Sequence, residues 1–212
     1  MAAEPKQEAI EIGGGRDRPR LFLPLGVIAA FALLAGAAAA IEEKVAPCFS
    51  CHGERGVSQV PETPTLAGQP AYFLLIEIFQ FRERLRQIPI MNEAVKGLSN
   101  DEMKAMADYL AGLAPPRPLA DGGDRTRLER GRALVAAHHC GFCHNPDFSG
   151  REQMPRLAGQ REDYLRKALR DYKSGARPGY DPMMAMVLYP VSETDIDDLA
   201  HLLAHLPASD RP

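Results

Sequence analysis

The run Cys48-Phe49-Ser50-Cys51-His52 recurs as Cys140-Gly141-Phe142-Cys143-His144, an offset of 92 residues. Further landmarks repeat around it in the same order. Pro64-Thr65-Leu66-Ala67-Gly68-Gln69 returns as Pro155-Arg156-Leu157-Ala158-Gly159-Gln160 at an offset of 91. Pro89-Ile90-Met91 returns as Pro182-Met183-Met184 at 93, and the segment from Leu98 returns from Val191, again at 93. Offsets this constant mark an internal duplication. A proline- and glycine-rich stretch, 112–123, lies between the copies and reads as a linker. The expected organisation is therefore a first copy at 42–114, a linker at 115–125 and a second copy at 126–212.

Each copy reads as helices with irregular connections. In the second, 126–139 is expected to be helical and to run directly into the cysteine pair. Residues 163–174 form another helix, with Tyr164, Leu165, Ala168, Leu169 and Tyr172 on one face. Ser192 caps a third, with Asp195 at the third helical position in the manner of a capping box. The first copy matches with 71–85 and the helix following Ser99. No stretch sustains the alternation of a strand, so the fold class is all-α. The composition, 45% apolar and 25% charged, is globular. With 25 basic against 28 acidic side chains there is no basic field to hold nucleic acid.

Leu21 to Ile41 is a run of 21 residues without a charge, preceded by Arg16, Arg18 and Arg20. About 20 apolar residues cross a bilayer as a helix. The run reads as a single transmembrane anchor in contact with lipid. The preceding arginines place a tail, 1–20, in the cytoplasm and the two copies across the membrane. A cleaved signal peptide is the rival reading, since Ala37–Ala40 offers small-residue cleavage sites. Against it, the leading region is long and its side chains sum to zero charge.

C-x-x-C-H is the pattern of c-type haem attachment. Two thiols add across the haem vinyl groups, and the adjacent histidine is delivered beneath the iron. A zinc ribbon needs its two pairs about 15–20 residues apart, and a redox dithiol expects a βαβ setting. Neither fits. Disulfides within each pair would close very short loops and stabilise little.

With both C-x-x-C-H motifs, both P-x-L-A-G-Q stretches and the methionines before L-S and V-S, the chain resembles the di-haem cytochrome c4 family. The likeness spans about 42–206. It implies two tandem class I cytochrome c domains packed face to face, each holding one covalently attached haem through Cys48, Cys51 and His52 or through Cys140, Cys143 and His144. It also implies that the carbonyls of Pro64 and Pro155 accept a hydrogen bond from the histidine rings, and that Leu66 and Leu157 pack against the haem faces.

The sixth ligands follow from register. Met103, Met106, Leu110 and Leu113 fall at helical spacing and read as core. Met91 stands alone in an expected loop beside Pro89. Met184 is its counterpart, since both lie seven residues before the final helix motif; Met186 is the alternative. The arginines Arg82, Arg84, Arg86, Arg166, Arg170 and Arg177 read either as a solvated face or as partners of haem propionates. His138, His139, His201 and His205 read as surface or packing residues.

The expected activity is electron transfer rather than catalysis, on the periplasmic side of a bacterial inner membrane. The resemblance and topology suggest a quinol-oxidising complex as donor and a terminal oxidase as acceptor. The alternatives are a cytochrome subunit of a dehydrogenase or oxidase complex, or a di-haem enzyme such as a thiosulfate dehydrogenase.

Overall fold

In the first copy, residues 40–45 are helical and pass through a 3-10 turn, Ala46–Cys48, into a short helix α1, Phe49–His52. Three helices follow: α2 (Ala71–Arg82), α3 (Pro89–Ala94) and α4 (Asn100–Ala111). The second copy repeats the order as α5 (Arg125–Ala137), α6 (Cys140–His144), α7 (Glu162–Ser174), α8 (Met183–Leu188) and α9 (Glu193–His205). The computed structural model describes residues 40–119, 121–177 and 182–207, and both copies belong to one compact unit, Ala38–Pro212. Among the described residues the only β-pairing is an isolated bridge between Arg151 and Met154.

The final helix of each copy begins with a reciprocal cap. Ser99 accepts from the Glu102 backbone while Glu102 accepts from that of Ser99, and Ser192 pairs with Asp195 in the same way. Each such cap satisfies two amides that a helix start otherwise leaves unpaired.

Four expectations are corrected. Helix α2 stops at Arg82 rather than at residue 85, because Arg84 adopts a left-handed φ of 57°. The Asn92 amide then takes the carbonyls of Phe81 and Arg86, at 2.6 and 2.9 Å. Helix α5 starts one residue early, where the Asp124 side chain caps Arg127 N–H at 2.9 Å. It does not run directly into Cys140, since His139 at φ 53° turns the chain between them. Finally, Met91 is not in a loop but inside α3, whose start is set by Pro89 at the first turn, where its missing N–H costs nothing.

The core of the first copy joins Val45, Leu74, Ile78, Phe81 and Val95 to Met103, Met106, Ala107 and Leu110. Met103 and Met106 thus pack as their helical spacing indicated. An ion pair from Lys44 to Glu102 ties the leading helix to the start of α4. The second copy has two clusters, one around Phe148, Leu165 and Leu203, the other around Leu169, Leu188 and Ile196.

Helices α5 and α9 cross where Gly131 has no side chain. A Cβ there would lie 2.6 Å from Leu202 Cβ and 2.8 Å from the Asp198 carbonyl oxygen. One of those atoms is backbone and cannot swing away. Gly131→Ala should therefore destabilise the second copy by about 1–3 kcal/mol. A urea titration followed by circular dichroism measures it; an unchanged midpoint would mean the helices part freely.

The linker is held against the second copy by histidines. Asp124 N–H donates to His201 Nε2 at 2.9 Å, and His205 Nε2 lies 2.8 Å from Asp121 Oδ1. His201 Nδ1 in turn meets Glu162 at 2.9 Å, and His205 Nδ1 meets the His201 carbonyl at 2.7 Å. All four ring nitrogens are engaged in the packing. His201 is buried, so it is a core rather than a surface residue.

Among the described residues no helix is long and apolar enough to cross a membrane. The run 21–41 lies outside the described residues except for its last two positions, which are helical.

Candidate functional site

Cys51 and His52 sit on α1, with Cys48 ending the 3-10 turn that leads into it, and Cys140, Cys143 and His144 sit on α6. No disulfide joins the four cysteines. Cys51 and Cys143 are exposed, whereas Cys48 and Cys140 are partly covered, and burial pushes their thiols up.

The two histidines point inward. His52 is 6% exposed and His144 4%. His52 Nδ1 lies 2.8 Å from the Pro64 carbonyl oxygen and His144 Nδ1 lies 2.9 Å from that of Pro155. A carbonyl can only accept, so the proton sits on Nδ1 and the lone pair faces away on Nε2. Burial pushes both imidazoles below the usual histidine range, with the proline carbonyls pulling back part of that shift. Near neutral pH both rings are thus uncharged, each with a lone pair available.

His144 Nε2 has no hydrogen-bond partner and no exposure to water. Leaving a buried polar atom unpaired costs about 1–3 kcal/mol. A lone pair aimed into the interior is what an iron ligand requires, so the residues present fit a haem.

The loops after Pro64 and Pro155 are fixed to the terminal helices. Gly68 N–H donates to the Leu110 carbonyl at 3.1 Å, and Gly159 N–H to that of Leu203 at 3.0 Å. Leu66 and Leu157 pack onto their own copies' clusters. Gly56, at φ 77°, accepts from Leu66 and Ala67; its counterpart Phe148 accepts from Leu157 and Ala158 at φ 56°. The left-handed backbone is strained for phenylalanine. Burial of the ring offsets the strain.

Of the methionines, Met91 and Met184 are partly buried and pack on the cores of their copies. Met183 and Met186 are exposed, Met186 at 65%. Of these four, the two positions aligned by the repeat are thus the two that face inward.

The six arginines are all paired with the protein itself. Arg82 reaches the Leu98 carbonyl, Arg84 pairs with Glu93, and Arg166 and Arg170 share Asp197. Arg86 and Arg177 converge on Glu77, and Arg177 comes from the other copy, at 2.7 Å. Burial alone would push the Glu77 carboxyl up, but the two guanidiniums outweigh it and hold the group below the usual carboxylate range.

Two glutamines add to the contact between copies, and the motifs alone gave them no role. Gln69 accepts from Arg156 N–H at 2.9 Å and donates to the Arg156 carbonyl at 3.0 Å. Gln160 does the same with Thr65, at 2.8 and 2.9 Å. The signal was their recurrence at the end of both P-x-L-A-G-Q stretches.

A family model for cytochrome c matches residues 128–207, the second copy. The chain is similar to cytochrome c4 of Pseudomonas aeruginosa, 32% identical over 83% of this chain and 91% of the relative. The chain belongs to the cytochrome c4 family. It is also 30% identical to a thiosulfate dehydrogenase electron acceptor of Thiomonas intermedia, over 90% of this chain and 95% of the relative. The crystal structure of reduced recombinant cytochrome c4 from Pseudomonas stutzeri superposes with a TM-score of 0.72 at 27% identity, covering 80% of this chain and 98% of that one. As a cytochrome c4 family member the chain carries two covalently attached c-type haems, one per copy.

Proposed function

We propose that the protein is a di-haem electron carrier tethered to the periplasmic face of a bacterial inner membrane, with His52/Met91 and His144/Met184 as the axial pairs. The observation that carries this reading is His144 Nε2, buried and unpartnered while Nδ1 is held by Pro155. The haems supply one-electron exchange between ferrous and ferric iron. The chain holds each imidazole in one tautomer, sets a thioether on the inner side of each copy, and encloses both in an apolar core. The likeness to cytochrome c4 favours a carrier over an enzyme. Redox titration with optical spectra, with and without carbon monoxide, tests this. Two low-spin haems that bind carbon monoxide poorly are expected; a haem that binds it readily would have an open position and point to catalysis.

A quinol-oxidising complex as donor and a terminal oxidase as acceptor suit the tethered topology. The likeness to a thiosulfate dehydrogenase electron acceptor favours a second reading, in which electrons arrive from a sulfur-oxidising enzyme. Reduction of the purified protein by each candidate donor separates the two.

The tether rests on the charge-free run at 21–41 and its flanking arginines. The protein should stay with the membrane fraction through a carbonate wash and keep its first 40 residues. Mass spectrometry finding a mature N-terminus at Ile41 would overturn it.

A further inference from the structure

We infer that Gln69 and Gln160 are positioning residues through which each copy tunes the axial histidine of the other. The inference rests on the axial assignment proposed above for His52 and His144.

The geometry turns on two peptide groups. The Pro64–Thr65 peptide accepts from His52 Nδ1 on its oxygen, at 2.8 Å, and donates from its N–H to Gln160 Oε1, also at 2.8 Å. The Pro155–Arg156 peptide accepts from His144 Nδ1 at 2.9 Å and donates to Gln69 Oε1 at 2.9 Å. One planar amide therefore separates each histidine from a glutamine of the opposite copy. The second glutamine bond, Nε2–H to the carbonyl of Thr65 or Arg156, fixes the side chain so that its oxygen faces the N–H. All four residues are buried: Gln69 and Gln160 are 4% exposed, Thr65 3% and Arg156 5%.

Hydrogen bonds in a chain polarise one another, the more so away from water. An amide whose N–H is engaged carries a more negative carbonyl oxygen. That oxygen pulls harder on the imidazole N–H, making the ring a stronger donor to its metal. A stronger donor favours the ferric state and lowers the potential. Removing a glutamine should weaken this pull on the histidine of the other copy only, because its own histidine uses a different peptide. An interface that acted merely as glue would have no such crossed selectivity.

The test uses the full-length holoprotein carrying Gln160→Leu or Gln69→Leu. The two haem potentials are followed by spectroelectrochemistry and assigned by the paramagnetically shifted haem methyl resonances. Gln160→Leu should raise the potential of the haem on His52 more than that on His144, and Gln69→Leu should do the reverse. Amide exchange at Thr65 should quicken in the first variant and at Arg156 in the second. A shift confined to the variant's own copy, equal shifts in both copies, or no shift would each overturn the inference. If a leucine variant fails to fold, Gln→Asn at the same position keeps the polarity and loses only reach. The same crossed pattern, smaller, is then expected, and its absence is equally fatal. Spectra of the unsubstituted protein lacking histidine ligation would instead overturn the axial assignment, and with it this inference.

Discussion

Met184→Ala should remove half of the weak near-infrared thioether-to-iron band of the ferric protein and leave one haem open to carbon monoxide. Met91→Ala should remove the other half. The expectation follows from packing. Met184 is partly buried on the cluster around Leu188 and Ile196, whereas Met186, two residues on, is 65% exposed. A side chain that faces water cannot also close an apolar haem pocket. Alanine keeps the α8 backbone but is too short to bridge the space a thioether fills. Thioether ligation opposite histidine raises the potential, so the opened haem should also become harder to reduce. Met186→Ala should change neither the band nor the potential. A band halved by Met186→Ala and untouched by Met184→Ala would reverse the assignment.

Removing the Glu77 carboxylate should have the largest effect on stability of any single charge change. Its side chain is 14% exposed, and it is flanked by Arg86 at 13% and Arg177 at 7%. Each guanidinium also lies over a ring, Arg86 on Phe81 and Arg177 on Tyr172, both at 4.7 Å from the centroid. Glu77→Gln leaves two buried cations facing one another with only a neutral amide between them. Breaking a buried pair from one side costs about 3–5 kcal/mol. Urea unfolding of the holoprotein measures the loss, and the joint replacement of Glu77, Arg86 and Arg177 by apolar residues should recover much of it. The sign with pH is fixed by the direction of the shift. The folded carboxyl releases its proton more readily than the unfolded one, so its stabilisation is complete above the ordinary carboxylate range. It is lost as the pH falls through and below that range. Glu77→Gln should flatten this part of the acid unfolding profile; an unchanged profile would assign the acid sensitivity to other carboxylates.

What the sequence made legible was whatever repeats or is local. The two C-x-x-C-H runs, the paired prolines and the capping boxes are short-range patterns, and the helices lie where they indicated. The boundaries that moved did so for reasons that periodicity does not carry. Asn92 draws off the end of α2 from a position ten residues beyond it, and a left-handed His139 interrupts a run of good helix formers. The placement of Met91 failed in a similar way. Its neighbouring proline opens a helix, although prolines are equally common in loops. The pairs that join the copies were invisible, because Glu77 and Arg177 are 100 residues apart and Gln160 and Thr65 are 95 apart. Nothing local distinguishes Arg177, buried between the copies, from Arg170 on the surface.

The glutamine contact has the form of a twofold. Residue 69 meets 156 and residue 160 meets 65, so each copy offers the same patch and receives the same patch in return. An isologous contact of this kind closes on itself, unlike a head-to-tail one, which leaves a free surface at either end. Two copies therefore use up the glutamine contact, and a third cannot add through it. A copy excised from the chain would carry half of a self-complementary surface and should pair with its own kind. Joining the halves through the linker replaces that concentration-dependent encounter with a fixed one, so the partnership survives at any dilution.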